Sequence, residues 1–257
     1  MEYNFLTAYE FDYGCQELAK GSRGKIIPEM ELRTNTAYPV CWPGLYKPEL
    51  LEICRHHSLD FYNLDTGYFG NRKRKVYFRL TKNNFANIEQ IKQRSDDRWT
   101  KLQWTINNFQ RGRFIVIVPP DRKICRTLNL GTEDEWIADI TKTIANYTDR
   151  PVKIRKRPEP RADRIIHDTF LEFIKKDTWC VVGYSSNALV EAALSDIPTV
   201  ALGHSATKSL YNTGLDKIEQ LTRADSDHKQ AWINHLSYSQ FTREELASGF
   251  AWDIIHS

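Results

Sequence analysis

The second half of the chain alternates short apolar segments with helical patterns, and this alternation constrains the fold more than any other feature. Each apolar segment is strand-sized and ends at proline, glycine or a basic residue. The predicted strands cover residues 113–118, 152–155, 179–182 and 199–202. Strands and helices at this spacing indicate βαβ units, which form a parallel sheet with right-handed crossovers. We therefore expect an α/β lobe over residues 113–225.

Helix signals fill the gaps between these strands. Thr132 precedes an apolar helical pattern and is followed three positions later by Glu135, which predicts a capping box. Thr242 is the predicted N-cap of the last helix. Other helices are predicted over residues 162–176, 187–194, 229–236 and 242–252. We expect residues 226–257, which contain the last two, to pack back across the lobes.

The first half of the chain has weaker patterns. It predicts strands over residues 3–11, 37–42, 59–64 and 75–80, and a helix that opens at Pro48. The loop at residues 65–70 follows a strand, at the position where open sheets bind ligands. These signals predict an abbreviated first lobe over residues 1–112, also built on a parallel sheet.

Composition restricts the class of protein. No apolar run approaches the roughly 20 residues that span a bilayer, and the first residues lack a signal-peptide pattern. The 5 cysteines are scattered, with no metal-ligand spacing. We expect a compact cytoplasmic protein without a membrane partner and without a bound metal. Its oligomeric state does not follow from the sequence.

The segment from Gly183 to Glu191 carries the strongest chemical signal. Gly183 permits a sharp turn, Ser185 and Ser186 supply hydroxyl groups, and the free N–H groups of the following helix form an anion site. Glu191 follows Asn187 by one turn on the same helix face, where it can accept hydrogen bonds from ribose hydroxyls. The alternative interpretation is that Ser186 is only an N-cap and Glu191 a solvated carboxylate.

The run Ser185-Ser186-Asn187-x-x-x-Glu191-Ala192 resembles the donor-binding segment of glycosyltransferases with two facing Rossmann-like lobes, the GT-B fold. Residues 151–158 resemble the element that these enzymes place beside the nucleotide base, with Arg157 where the family has histidine. The resemblance implies a nucleotide sugar as co-substrate, a UDP sugar first, and no tightly bound cofactor.

Patterns elsewhere resemble uncharacterised phage-encoded proteins that are similar to sugar transferases acting on DNA. They are Leu64-Asp65-x-Gly67-Tyr68-Phe69-Gly70, Tyr77-Phe78-Arg79-x-Thr81-x-Asn83 and a pattern from Trp232 to Trp252. Together they extend over most of the chain. This resemblance implies that the acceptor is a hydroxymethylated pyrimidine base in phage DNA, in the duplex or flipped out of it.

Inverting sugar transfer requires a base for the acceptor hydroxyl and positive groups for the leaving diphosphate. Asp65 is the candidate base and Asp12 the weaker alternative, while an Asx-turn role for Asp65 stays open. Arg155 and Lys156 are candidates for phosphate contact. His204 follows the last strand of the second lobe and is a further donor-side candidate, with a structural role in the turn as the alternative.

Cations and aromatic rings near residue 70 form the combination that contacts nucleic acid backbones and bases. The candidate residues are Tyr68, Phe69, Arg72, Lys73, Arg74, Lys75 and Arg79. The alternative is solvated charge at a hairpin tip. Two other functions compete with a DNA-modifying enzyme: a non-catalytic protein that binds a nucleotide or signalling molecule, and a glycosyltransferase with a polysaccharide acceptor.

Overall fold

The computed structural model describes residues 4–6, 13–27, 40–43, 48–69, 76–88, 90–157 and 169–257. The chain forms two compact units. Unit 1 comprises Met1–Asn87, Ile91–Trp104 and Ile233–Ser257, and unit 2 comprises Ile88–Gln90 and Thr105–Trp232. The domain limits predicted from the sequence, 1–112, 113–225 and 226–257, remain predictions.

The described strands and helices are numbered in chain order. The strands are β1 (Asn4–Leu6), β2 (Lys25–Ile27), β3 (Val40–Pro43), β4 (Phe61–Thr66), β5 (Phe78–Lys82), β6 (Phe114–Val118), β7 (Val152–Ile154), β8 (Thr178–Gly183), β9 (Thr199–Ala201) and β10 (Gln240–Phe241). The helices are α1 (Tyr13–Ser22), α2 (Pro48–His56), α3 (Asp97–Leu102), α4 (Arg122–Thr127), α5 (Glu133–Ala145), α6 (Phe170–Ile174), α7 (Asn187–Leu194), α8 (Ser226–Ser237), α9 (Arg243–Ala247) and α10 (Phe250–His256). Two 3₁₀ helices cover Ala206–Ser209 and Leu215–Gln220. No helix in the described ranges combines the length and apolar character needed to cross a membrane.

Unit 1 contains a six-stranded sheet with the order β10-β5-β4-β3-β1-β2. The strands from β1 to β4 pair in parallel, whereas β5 is antiparallel to both β4 and β10. The sheet is therefore mixed, and the prediction of a parallel sheet was wrong for this part of it. The reason is local, because only residues 67–77 separate β4 from β5, and this is shorter than the connection that a crossover between parallel strands needs.

The closing segment of unit 1, Ile233–Ser257, packs closely against α1 at Gly21. A Cβ atom on Gly21 would lie 2.0 Å from the carbonyl oxygen of Leu246 and 2.7 Å from the amide nitrogen of Gly249. Gly249 has a φ of 89°, in the left-handed region that favours glycine. The chain turns there, so the single helix predicted over residues 242–252 is two helices, α9 and α10.

Arg98 on α3 fixes the same closing segment through polar contacts. Its guanidinium donates to both carboxylate oxygens of Glu245, at 2.5 and 3.0 Å. It also donates to the carbonyl oxygens of Ser237, at 2.9 Å, and Gln240, at 2.7 Å. Glu245 in turn accepts from the Thr242 amide, which completes a capping box at α9.

Unit 2 contains a four-stranded parallel sheet with the order β7-β6-β8-β9. One face, with Ile115, Ile117 and Val182, packs against Trp136 and Ile144 of α5. The other face packs against α6 and α7. Strands that are buried on both faces are continuously apolar, which made them recognisable in the sequence. The four predicted strands and the helix over residues 187–194 are confirmed.

Capping boxes begin two helices of unit 2. Thr132 and Glu135 form the one predicted for α5. Thr169 and Glu172 form another at α6, where the helix was predicted to span residues 162–176. Residues 158–168 lie outside the described residues, so the earlier part of that prediction is not addressed.

Candidate functional site

The carboxyl edge of the unit 2 sheet is the natural location for a ligand. Strands β7 and β8 lie on opposite sides of β6, so the order of the strands reverses between β6 and β8. Open α/β sheets bind ligands in the crevice outside the strand ends at such a reversal. The loops that flank it are residues 119–121 after β6 and residues 184–186 after β8.

Gly183 ends β8 at this crevice, but it does not have a positive φ. A Cβ atom there would lie 3.0 Å from the carbonyl oxygen of Val118 and 3.3 Å from Leu189. Close packing of β8 against β6 and α7 therefore explains the glycine, in place of the sharp turn that the sequence suggested.

Ser186 is the N-cap of α7. Its hydroxyl oxygen accepts a hydrogen bond from the Ala188 amide at 3.2 Å, as expected for a serine with an extended backbone at this position. Ser185, Asn187 and Glu191 are half-buried beside it. The first turn of α7 contains no acidic residue, so the positive end of the helix dipole is not neutralised by its own side chains.

The loops after β8 and β9 are joined to each other. The Gly203 amide donates to the Tyr184 carbonyl at 2.9 Å, and a Cβ atom on Gly203 would lie 2.4 Å from the Tyr184 ring. His204 follows on the exposed side. Partial desolvation lowers the pKa of its imidazole and the charge of Lys208 lowers it further, which favours the neutral form.

A groove of about 910 Å³ lies at the carboxyl ends of β6 and β7. Its walls come from α4, the turn between α4 and α5, the first turn of α5, and the residues after β7. The lining residues are Arg122, Cys125, Arg126, Asn129, Gly131, Thr132, Glu133, Asp134, Lys156 and Arg157. Asn129 and Gly131 have φ values of 52° and 78°, and this left-handed backbone turns the chain from α4 into α5.

Lys156 and Arg157, on the β7 side of the groove, already face carboxylates. The Lys156 ammonium lies 2.5 Å from Asp134 and 3.8 Å from Glu133, and the hydrogen bond to Asp134 raises the pKa of Lys156. Arg157 lies 3.6 Å from Asp121. These contacts neutralise much of the positive charge that the sequence assigned to phosphate binding.

Arg155, the other predicted phosphate ligand, is half-buried after β7. Its amide donates to the Ile117 carbonyl at 2.9 Å, which extends the pairing of β7 with β6. Its guanidinium carbon lies 5.1 Å from the centre of the Phe173 ring, within the range of a cation–π contact.

Arg122 and Arg126 line the groove and were not selected from the sequence. Both are exposed on α4, and neither side chain forms a hydrogen bond or ion pair within the described residues. A signal for them existed: two arginines four residues apart come directly after the end of a buried strand. Because residues at that spacing share a helix face, both side chains line one wall.

The candidate base Asp65 belongs to unit 1 and lies within β4, whereas the sequence suggested the loop after the strand. One carboxylate oxygen lies 2.7 Å from the Arg79 guanidinium, and the other accepts from the Thr66 amide at 2.7 Å. The side chains of Asp65 and Arg79 are 33% and 12% exposed. Arg79, a predicted DNA contact, is thus the ion-pair partner of Asp65.

Tyr68 and Phe69, which the sequence suggested as stacking surfaces for DNA bases, are 5% and 1% exposed. The Tyr68 hydroxyl donates to the Asn87 side chain at 2.9 Å, and the Phe69 amide donates to Gln240 at 2.8 Å. Both rings are buried, and the Phe69 ring lies 5.3 Å from the Trp99 ring, so neither offers a free face on which a base could stack. Asp12 and the candidates Arg72, Lys73, Arg74 and Lys75 lie outside the described residues.

Burial makes three of the described cysteines unsuitable as nucleophiles. It raises the pKa of Cys54 to about 11 and that of Cys180 to about 12. Cys125, beside the groove, also has a raised pKa, because of burial and the charges of Glu133 and Asp121. A thiol reacts as the thiolate, which none of these three forms readily at neutral pH.

No family model matches the chain, and no curated protein matches it. Its fold is similar to that of a solved structure, the KpsC β-Kdo 2,7 transferase of Thermosulfurimonas dismutans, with 11% identity and a TM-score of 0.50 over 100% of this chain and 99% of that one. The KpsC β-Kdo 2,4 transferase of the same organism gives 12% identity and a TM-score of 0.48 over 91% and 90%. At these identities the likeness concerns the fold, and the predicted α/β, GT-B-like fold class is confirmed.

Proposed function

We propose that the protein is a glycosyltransferase that uses a nucleotide sugar and binds it at the carboxyl edge of the unit 2 sheet. The observation that carries the proposal is the strand order β7-β6-β8-β9, with its reversal at the crevice beside the β8–α7 loop. The solved structure that is similar over both whole chains is named for the transfer of a sugar, Kdo, which supports the same class of reaction here.

The donor would use the residues around the start of α7. Its diphosphate would accept hydrogen bonds from the hydroxyl groups of Ser185 and Ser186 and from amides of the first turn, where no acidic side chain opposes an anion. Glu191 would accept hydrogen bonds from the ribose hydroxyls, and Arg155 would contact phosphate from the β7 side. In contrast, α5 begins with three acidic residues, whose charges offset the dipole of that helix.

The chemistry we propose is a direct displacement at the anomeric carbon. The acceptor hydroxyl oxygen forms a bond to that carbon, its proton passes to the Asp65 carboxylate, and the nucleoside diphosphate leaves with the electron pair of the broken bond. The ion pair with Arg79 would orient the Asp65 carboxylate before the proton transfer. Positive groups and helix amides would stabilise the leaving diphosphate.

The proposal also concerns the acceptor, for which there are two candidate classes of molecule. A hydroxymethylated pyrimidine in DNA follows from the sequence resemblance, although Tyr68 and Phe69 are buried and do not support it. A saccharide acceptor draws support from the Kdo transferase of similar fold. The two classes are separate arms of the same assay.

Thermal shift and product release test the donor site together. We expect one nucleotide sugar, with UDP sugars tested first, to raise the melting temperature of the wild type. Ser186→Gly should weaken that shift while it preserves most of the helix cap, because glycine is a tolerated N-cap. Glu191→Gln should weaken it as well. Thr242→Ala, which removes a cap at α9 in unit 1, is the control and should leave the shift unchanged.

Activity is then measured as release of nucleoside diphosphate with hydroxymethylated DNA or an oligosaccharide as acceptor. Release that depends on one acceptor and is lost in Asp65→Asn would support transfer. A ligand-dependent rise in melting temperature without release would indicate the non-catalytic binding protein instead. If no nucleotide or nucleotide sugar shifts the wild type, the donor assignment is wrong.

A further inference from the structure

We infer that Arg122 and Arg126 form a clamp for an oxyanion, a phosphate or a carboxylate, carried by an organic ligand in the groove of unit 2. The inference goes beyond the proposed function, because it concerns binding in this groove and holds whether or not a sugar is transferred. It assigns the ligand contact to α4, which the sequence did not single out.

The basic side chains on the two sides of the groove differ in whether a carboxylate lies close to them. On the β7 side, Lys156 faces Asp134 and Glu133, and Arg157 faces Asp121. On the α4 side, Arg122 and Arg126 have no hydrogen-bond or ion-pair partner among the residues that the structure describes. The positive charge available to a ligand is therefore concentrated on the α4 wall.

Two like charges at this spacing are unfavourable for the helix that carries them. Arg122 and Arg126 are separated by four residues, so their side chains are neighbours on one face of α4 and repel each other. Asp121, the carboxylate that directly precedes Arg122 in the sequence, already has partners, since it accepts from the Ile124 amide as the N-cap and faces Arg157. An oxyanion between the two guanidinium groups would relieve the repulsion and accept hydrogen bonds from both.

The size of the groove sets a second condition on the ligand. A volume of about 910 Å³ lies at the upper end of the range for small-molecule sites and is far larger than a single phosphate or carboxylate requires. The remaining wall offers uncharged polar groups from Asn129 and Thr132 and the exposed backbone of Gly131. The oxyanion is thus expected on a larger, polar body such as a nucleotide or an acidic sugar.

The test compares charged and neutral members of two ligand pairs by titration calorimetry. UDP against uridine reports a phosphate, and glucuronate against glucose reports a carboxylate. We expect at least one charged member to bind the wild type and to lose tenfold or more in affinity in the double variant Arg122→Gln/Arg126→Gln. The matched control is Lys123→Gln. Lys123 is an exposed cation on the same helix that does not line the groove, so the affinity of this variant for the charged probe should stay within twofold of that of the wild type.

The outcomes separate this inference from the proposed function. The clamp is wrong if neither charged probe binds, if the double variant binds as tightly as the wild type, or if Lys123→Gln weakens binding equally. Loss of UDP binding in Ser186→Gly but not in the arginine variant would overturn the clamp and leave the donor site standing. Loss in the arginine variant without any sugar transfer would support the clamp and count against the proposed function.

Discussion

The sheets of the two units differ in how far apart their strands lie in the sequence. Unit 2 forms its parallel sheet from four strands that follow one another along the chain, each crossover carrying its own helix. Unit 1 completes its sheet with β10, whose Phe241 pairs with Phe78 from a distant part of the sequence. Local patterning therefore specifies unit 2, whereas unit 1 depends on contacts that only the complete fold supplies.

The most severe way to break unit 1 is to separate α1 from the closing segment. Gly21→Ala would put a Cβ atom 2.0 Å from the Leu246 carbonyl oxygen, so the helices must move apart. We expect a loss of about 3 kcal/mol or more in the free energy of unfolding, measured by urea denaturation. Lys20→Ala on the exposed side of α1 is the control and should cost less than about 0.5 kcal/mol. Equal stability of both variants would refute the close contact.

Substitution of one arginine in each unit compares how much their polar contacts stabilise the two units. Arg98, 13% exposed, bonds to Glu245 and to two carbonyl oxygens of the closing segment of unit 1. Arg113 of unit 2, 71% exposed, pairs with Asp177 at 2.6 Å. We expect Arg98→Gln to cost about 2–4 kcal/mol because it leaves partly buried acceptors unsatisfied. Arg113→Gln should cost less than about 1 kcal/mol. Similar losses in denaturation midpoint would mean that Arg98 is no more than a surface ion pair.

The smallest expected effect is a coupling energy between caps and the Arg98 network. Thr242→Ala and Thr132→Ala each remove one capping box and should each cost about 1 kcal/mol. Because Thr242 and Arg98 share Glu245, their combined loss should deviate from the sum by about 0.5 kcal/mol or more. Arg98→Gln combined with Thr132→Ala should be additive within about 0.3 kcal/mol. Additivity in both double variants would argue against a shared network.

The sequence predicted the secondary structure of unit 2 more accurately than that of unit 1. Strands β6 to β9 were recognisable because both of their faces are buried, and α5 and α7 because their N-caps are marked in the sequence. Nothing local indicated that β10 would pair with β5, or that Gly249 would divide the last helix. Those features come from tertiary contacts, which sequence periodicity does not report.

The candidate site was predictable to the extent that it depends on secondary structure. The β8–α7 loop has the predicted position and cap, because strand, turn and helix follow directly in the sequence. The ion pairs of Asp65 with Arg79 and of Lys156 with Asp134 could not be foreseen, since each joins residues from different elements. For the same reason, the sequence did not show that Arg122 and Arg126 lack a carboxylate partner among the residues that the structure describes.

The position of β10 also bears on how the protein is made. A ribosome releases the first strands of unit 1 early, but β5 keeps one edge unpaired until Phe241 has emerged. Unit 2 has all four of its strands well before that point. Folding during synthesis should thus run against the usual amino-to-carboxyl order, with unit 2 finished first and unit 1 last. During that interval the open edge of β5 is available for incorrect pairing with another nascent chain.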